Sequence, residues 1–392
     1  MTDFDFSVER KRTNSIKWDR YPGRDILPMW LADMDFQCPE PILDALRRRI
    51  DHGVLGYTYT PQELYDAVLN MLAEEYDWQV DPEWLVWLPG IVPGINAACR
   101  SFAAPDEEVI TSLPTYHPFL DAPQISGRRL LTVPLVLDRG RYVMDFDELE
   151  HSITPRTKLL ELCNPHNPVG RVYTREELTR LAEICLKHRL CISSDEIHCG
   201  LILEEGARHI PIGALAPEVA AHSITMMAPS KTYNIPGLCC AFAVIPNREL
   251  RQRMIGTMRG LVPFVNVLGY IAAAAAYRDC HEWHQGLIAY LRQNRDLLEQ
   301  TVARIPGIGM THIEATFLAW IDMRGLGLEY PAKYLEEFGL GVSDGRDFGQ
   351  AGFIRINFAC PRSRLKKALS ILEDAVGQLA AAPSGEEVPL AH

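Results

Sequence analysis

From about residue 84 the chain alternates short apolar runs with amphipathic stretches of helical length, and this alternation restricts the fold more than any other feature. EVITSLP, RLLTVPL, TKLLELCN, LCISSDE and HSITMMAP are short enough to be buried strands. Between two of them lies EELTRLAEICLKHR, preceded by Thr174 with Glu177 three residues further on, the spacing of a capping box. Strands separated by helices of this length predict an α/β fold with a mostly parallel sheet and helices on both faces. In such sheets the functional loops gather outside the carboxyl ends of the strands.

The flanking segments read differently. Pro22, Gly23, Pro28, Pro39 and Pro41 punctuate the first forty residues, which read as an arm and loop, with a helix through ILDALRRRI starting near Pro41. GVLGYTYTP reads as a loop, and the stripe of Leu64, Val68, Leu72 and Tyr76 as the packed face of the next helix. WLVWLPG ends in a turn, and IVPGINAACRSFA is helical apart from its early proline. After Pro263 the run IAAAAAYRDCHEWHQGLIAYLRQNRDLLEQTVARI predicts one long helix, interrupted in propensity only at Gly286. FLAWIDM, PAKYLEEFG, FIRINFAC and LKKALSILEDAVGQLA then suggest a smaller α+β layer. The expected division is an arm with part of a small domain over 1–45, a large domain over 46–285, a small domain over 286–380, and a flexible tail over 381–392.

Charge and cysteine usage narrow the setting. Thirty-nine basic against 51 acidic residues give a net charge of −12, which disfavours a nucleic-acid partner. The ten cysteines form no CxxC and no ligand pairs at zinc-finger spacing, so a reduced cytoplasmic protein is expected, without a metal site. No apolar stretch of 18 residues without a charge is found, which argues against a membrane span.

Three polar strand ends carry the candidate chemistry: MMAPSKTYNIPGL, SSDEIH and LCNPHNPVG. Taken singly, each has a structural explanation. Lys231 fits a surface turn, Asp195 a turn cap, and Asn164 and Asn167 turn positions beside proline. Taken together at one end of a parallel sheet, they converge on one crevice. A partly desolvated lysine there can lose its proton and form a Schiff base. Asp195 could pair with a protonated pyridine nitrogen, and Asn167 could donate to a ring oxygen.

The ordered set KWDRYPGRDILPMWLADMDFQCPEPI, GVLGYTYTP, LPGIVPG, LPTYHPF, LCNPHNPVGRVY, SSDEIH, APSKTYNIPGL, WHQGLIAYLRQN and GFIRINFACP covers about residues 14–375. It resembles the fold-type I pyridoxal-phosphate enzymes of the class I/II aminotransferase superfamily, and within them the cystathionine β-lyase-like carbon–sulfur lyases. The resemblance implies a large domain built on a mostly parallel seven-stranded sheet, plus a smaller α+β domain. It implies pyridoxal 5′-phosphate linked to Lys231, with Asp195 on the pyridine nitrogen, Asn167 on the phenolic oxygen and Tyr116 stacked on the ring. His198 stands where related aminotransferases often carry tyrosine. Backbone N–H groups of Ile91 and Val92, with Ser230, are implied to hold the phosphate, and Arg355 to clamp the substrate carboxylate. Tyr57 resembles the tyrosine that reaches the phosphate of a neighbouring subunit, which implies a homodimer.

The sequence departs from that pattern at three places. Cys239 stands where many relatives carry a phosphate-binding arginine, Gly200 where an aspartate commonly follows DEIH, and Asp344 with Gly345 where proline–glycine is usual. The activity implied is α,β-elimination from a cysteine thioether, giving a thiol, pyruvate and ammonia. The alternatives are an aminotransferase sharing the early steps, and a regulator with vestigial activity. A thiolate leaves Cβ far more readily than an alkoxide, which favours thioethers over serine.

Overall fold

The computed structural model describes residues 2–381. Its large sheet has seven strands in the spatial order Leu85–Leu88, Ala241–Val244, Ser223–Met227, Cys191–Asp195, Thr157–Cys163, Glu108–Leu113 and Arg129–Pro134. Ala241–Val244 runs antiparallel to both its neighbours, and the remaining pairings are parallel. Each of the five apolar runs picked out in the sequence forms one of these strands. Four of them read as apolar runs because both faces are covered, while Arg129–Pro134 lies at the sheet edge with only Val133 fully buried. Ile224 and Met226 pack with Ile95 and Ala98 of the helix Ile91–Phe102 on one face. On the neighbouring strand, Ile192 packs with Leu178 and Leu181 of the helix Arg175–Lys187 on the other.

That second helix begins as expected. The Thr174 side chain accepts the Glu177 N–H while the Glu177 carboxylate accepts the Thr174 N–H at 2.8 Å. Pro93 falls in the first turn of Ile91–Phe102, where its missing N–H would have had no helical partner. The loop through GVLGYTYTP and the buried stripe of Leu64, Val68 and Leu72 are also as expected.

The long helix after Pro263 is in fact two, Val267–Asp279 and His281–Val302. The break falls at Cys280, whose φ of −113° and ψ of 17° leave the helical region while its thiol donates to the Ala275 carbonyl. No proline or glycine marks it; tertiary packing sets it. The first helix lies along Glu40–Asp51 and the second packs against the C-terminal helix Arg362–Ala381. Gly286, by contrast, stays within its helix and lies against Phe4.

A smaller antiparallel sheet contains Gly309–Met310, Leu318–Asp322, Phe353–Asn357 and Ser343–Asp344, in that order. Leu27–Pro28 of the arm pairs in parallel with Leu340–Gly341, which fastens the start of the chain beside this sheet. The tail expected from residue 381 lies outside the described residues except for Ala381. Among the described residues, no helix is long and apolar enough to cross a membrane.

Candidate active site

The parallel strands end at one edge, and the residue following each end decides what that edge can do. Leu85–Leu88 turns at Gly90 into the start of the helix Ile91–Phe102, exposing the N–H groups of Ile91 and Val92. Tyr116 lies three residues beyond Leu113, and Asn167 four beyond Cys163. Asp195 is the last residue of its strand, and Ser230 and Lys231 follow Met227 closely. The antiparallel strand begins at this edge instead of ending there, so it brings Cys239 and Cys240. Ile91, Val92, Tyr116, Asn167, Asp195, His198, Ser230 and Lys231 all line one cavity of about 190 Å³. Arg355 joins it through Asn167, whose Oδ1 accepts from the guanidinium at 3.1 Å.

Burial sets the electrostatics. It pushes the Asp195 carboxyl up to about 7, with Oδ1 accepting the Ile197 N–H at 3.0 Å. Burial, helped by the Arg355 charge, lowers the Lys231 ammonium to about 8, and its Nζ donates to the Ala32 carbonyl at 2.6 Å. His198 is held well below its ordinary value by burial and by Lys231 and Arg355, so it stays neutral. Its Nδ1 has no partner among the described residues. Arg355 is 5% exposed, and burial lowers it to about 10. It lies 4.5 Å from the Phe348 ring centroid and leaves Nε unpartnered among the described residues.

This donor set has a definite chemical shape. An amine that gives up its proton near neutrality is a nucleophile towards a carbonyl. A buried acid held half-ionised calls for a cationic partner. A helix start with free N–H groups receives an anion. Pyridoxal phosphate carries a carbonyl, a basic ring nitrogen and a phosphate, so the residues present fit it.

The segment Trp30–Phe36 crosses this site as a strap, and sequence reasoning gave its residues no role. Its carbonyls are gripped from the turn after Lys231 and from the strand Phe353–Asn357. Asn234 Nδ2 donates to Met34 O at 3.1 Å and Phe36 O at 2.7 Å, and Asn357 Nδ2 donates to Leu31 O and Asp33 O at 2.6 Å each. Arg355 Nη2 reaches Trp30 O at 3.0 Å. Asp35 anchors the strap against Lys17 at 3.1 Å, Arg10 at 2.8 Å and Arg364 at 3.1 Å. The available signal was an asparagine three positions beyond Lys231 and two beyond Arg355, in KTYN and RIN.

The departures now have places. Cys239 lies on the cavity wall with φ 51°, in the left-handed region, and its short side chain supplies no cation there. A Cβ on Gly200 would stand 2.7 Å from Thr232 Oγ1 and 3.0 Å from its Cγ2, so no side chain fits beside Thr232 as it stands. Asp344 caps the turn Gly345–Phe348 by accepting the Arg346 N–H at 2.9 Å. A Cβ on Gly345 would approach Phe353 O to 2.6 Å, which requires glycine. Tyr57 is fully exposed on its loop, outside this chain's cavity.

Fold and site together define a pyridoxal-phosphate type of architecture, and the family pattern agrees. The Aminotransferase class I and II family matches residues 29–372, and the chain belongs to it. It is 36% identical over 386 residues to cystathionine beta-lyase PatB of Bacillus subtilis, covering 95% of this chain and all of that one. The crystal structure of OvoB superposes with a TM-score of 0.94 at 45% identity, covering 98% of this chain and 100% of that one. The PLP-bound C–S lyase from Staphylococcus hominis superposes with a TM-score of 0.90 at 32% identity, covering 95% and 98%.

Proposed function

We propose that this protein is a pyridoxal-phosphate-dependent carbon–sulfur β-lyase that cleaves cysteine thioethers to a thiol, pyruvate and ammonia. The observation that carries the reading is the placement of the desolvated Lys231 amine and the buried Asp195 carboxyl on one cavity, closed at one end by a helix start. When bound, pyridoxal phosphate supplies an electron sink for charge developing at the Cα of an amino acid. Lys231 provides the amine for covalent linkage and, once displaced by substrate, accepts the Cα proton. Asp195 holds a proton on the ring nitrogen. Asn167 and Tyr116 fix the ring, with His198 beside it, and Ile91, Val92 and Ser230 hold the phosphate. Arg355 binds the substrate carboxylate with a planar fork, which orients Cα towards Lys231. The sulfur then leaves Cβ as a thiolate.

Relatives named as cystathionine beta-lyase and C–S lyase support elimination over transamination. We read residues 46–285 as the cofactor-binding domain and 286–380 as the smaller one, with 1–45 leading into it. Exposed Tyr57, Leu261 and Phe264 support a homodimer in which Tyr57 completes the neighbour's phosphate site. Ten unpaired thiols support a cytoplasmic setting. L-Cystathionine or a simple S-alkyl cysteine should yield pyruvate, ammonia and free thiol without an added keto acid. Amino transfer to 2-oxoglutarate, with no thiol released from any thioether, would reverse the reading.

A further inference from the structure

Asp195 has a second buried carboxylate at its back. Strand alternation turns Asp195 into the cavity and Ser194 to the opposite face, and Glu196, the residue after the strand, joins Ser194 there. Glu196 is fully buried, and three donors converge on it. The Ser194 hydroxyl at 2.8 Å and the Ile212 N–H at 2.9 Å reach Oε1, while His209 Nε2 reaches Oε2 at 2.6 Å. The backbone is pinned as well: the Glu196 N–H donates to Met226 O at 2.8 Å, and its carbonyl accepts the Cys199 N–H at 3.0 Å. The next amide along, that of Ile197, is the one that donates to Asp195 Oδ1. Glu196 therefore fixes the turn that fixes the Asp195 carboxylate.

Stability does not account for this pair. A buried carboxylate with a partner gains little over apolar packing of the same volume, because desolvation offsets the attraction. His209 leaves Nδ1 unpartnered among the described residues, with the Tyr76 ring edge-on at 5.5 Å. What the pair supplies is a negative charge of fixed position. Lys231, His198, Tyr116 and Cys163 also surround Asp195, but they line the cavity and meet whatever binds there. Glu161 lies two residues deeper, opposite Ser193 and against Cys99, where burial holds it well above the ordinary carboxylate range. Glu196 lies outside the cavity wall, so its charge is constant while the cavity's contents change. Burial raises the Asp195 carboxyl, and the Glu196 charge pushes in the same direction.

We propose that Glu196, held by His209, is a positioning residue that acts through Asp195, fixing the orientation of its carboxylate and adding a constant negative charge that keeps the ring nitrogen protonated. The inference rests on the cofactor placement in the lyase reading and goes beyond it by giving the pair behind Asp195 a role.

The test uses the holoenzyme and L-alanine, which has no group to lose from Cβ, so Cα proton exchange in deuterium oxide is read without cleavage. Glu196→Gln keeps the shape and removes the charge. Exchange should fall about 3- to 10-fold, the scale of coupling between neighbouring buried groups, and the pH midpoint of the cofactor's visible band should move down. In an Asp195→Asn background the same substitution should change neither. His209→Gln, which keeps a donor in place of Nε2, should stay within about twofold of the wild type. Ser194→Ala, a smaller lesion on the same carboxylate, should lower exchange about 2- to 3-fold, again only where Asp195 is present. It carries the comparison if Glu196→Gln does not fold, and unaltered exchange in it then overturns the inference. A Glu196→Gln protein that melts lower with exchange and midpoint unaltered overturns it, because the pair is then only structural. A loss of equal size with and without Asp195 overturns it too, because Glu196 then acts by another route. The lyase reading fails separately: exchange coupled through Asp195, with no thiol released from S-methyl-L-cysteine, removes that reading and leaves this inference standing.

Discussion

Asp195, Asn167 and Lys231 each stand within four residues of the strand that positions them, whereas the groups around Arg355 come from opposite ends of the chain, residues 30–36 and 343–357. The first region is a floor of polar side chains at consecutive strand ends. The second is a rim in which side chains grip backbone carbonyls, as Asn357 grips Leu31 and Asp33. The contrast teaches where chemistry and selectivity are stored. A reactive group needs a particular side chain at a particular strand end, so it leaves a mark in the sequence. A carbonyl is supplied by every residue, so a rim built from carbonyls leaves almost none.

The largest effect should fall on the floor. Lys231→Ala removes both linkage and proton transfer, and turnover should drop by roughly 10²- to 10⁴-fold or more, since general acid–base catalysis alone is typically worth that range. Borohydride should fix the cofactor to Lys231 in the wild type. A label recovered on Lys187 or Lys333 by peptide mapping would break the assignment of the floor.

Asp195 gives the next effect, in stability. Its folded-state pKa of about 7 lies above that of an ordinary aspartate, so the folded cofactor-free chain keeps a proton that the unfolded chain has lost. Stability should therefore fall as pH rises from about 4 to about 7 and level off above, by up to about 4 kcal/mol at about 1.4 kcal/mol per pH unit. Urea unfolding at several pH values should show this slope in the wild type and a flatter one in Asp195→Asn. Equal slopes would mean that the floor does not hold this proton.

The rim should respond less. Arg355→Lys keeps the charge but loses the fork that reaches Asn167 and Trp30 together, and kcat/KM for a thioether should fall roughly 10- to 100-fold. An unchanged value would move the carboxylate clamp elsewhere. The smallest effect lies outside both regions. Thr174→Ala removes a cap from Arg175–Lys187 and should lower stability by about 1 kcal/mol while leaving kcat/KM unchanged. A loss of activity there would blur the separation between scaffold and site.

Much of the fold was legible because the central strands of the large sheet are buried on both faces. They are apolar runs that the sequence displays directly, and Thr174 with Glu177 marks a helix start by side chains alone. Cys280 was illegible for the opposite reason. A break between two good helix-forming stretches arises there from what each helix packs against, and local sequence carries no trace of it. Within the site, Lys231, Asp195 and Asn167 could be placed near one another from strand order, while the resemblance supplied their partners. The carbonyl of Ala32, 2.6 Å from Lys231, could not be read at all, because the contact spans 199 positions and uses no side chain of Ala32.

The glycine after Cys199 limits the paths open to descendants of this chain. A Cβ at Gly200 would stand 2.7 Å from Thr232 Oγ1, so a side chain at position 200 enters only if the Thr232 side chain, 5% exposed, shifts. A side chain gained there would draw on the rotamer of Thr232, next to Lys231, so changes at 200 and 232 would be non-additive. Positions 200 and 232 thus form one unit of drift, in which the residue at either limits what the other can become.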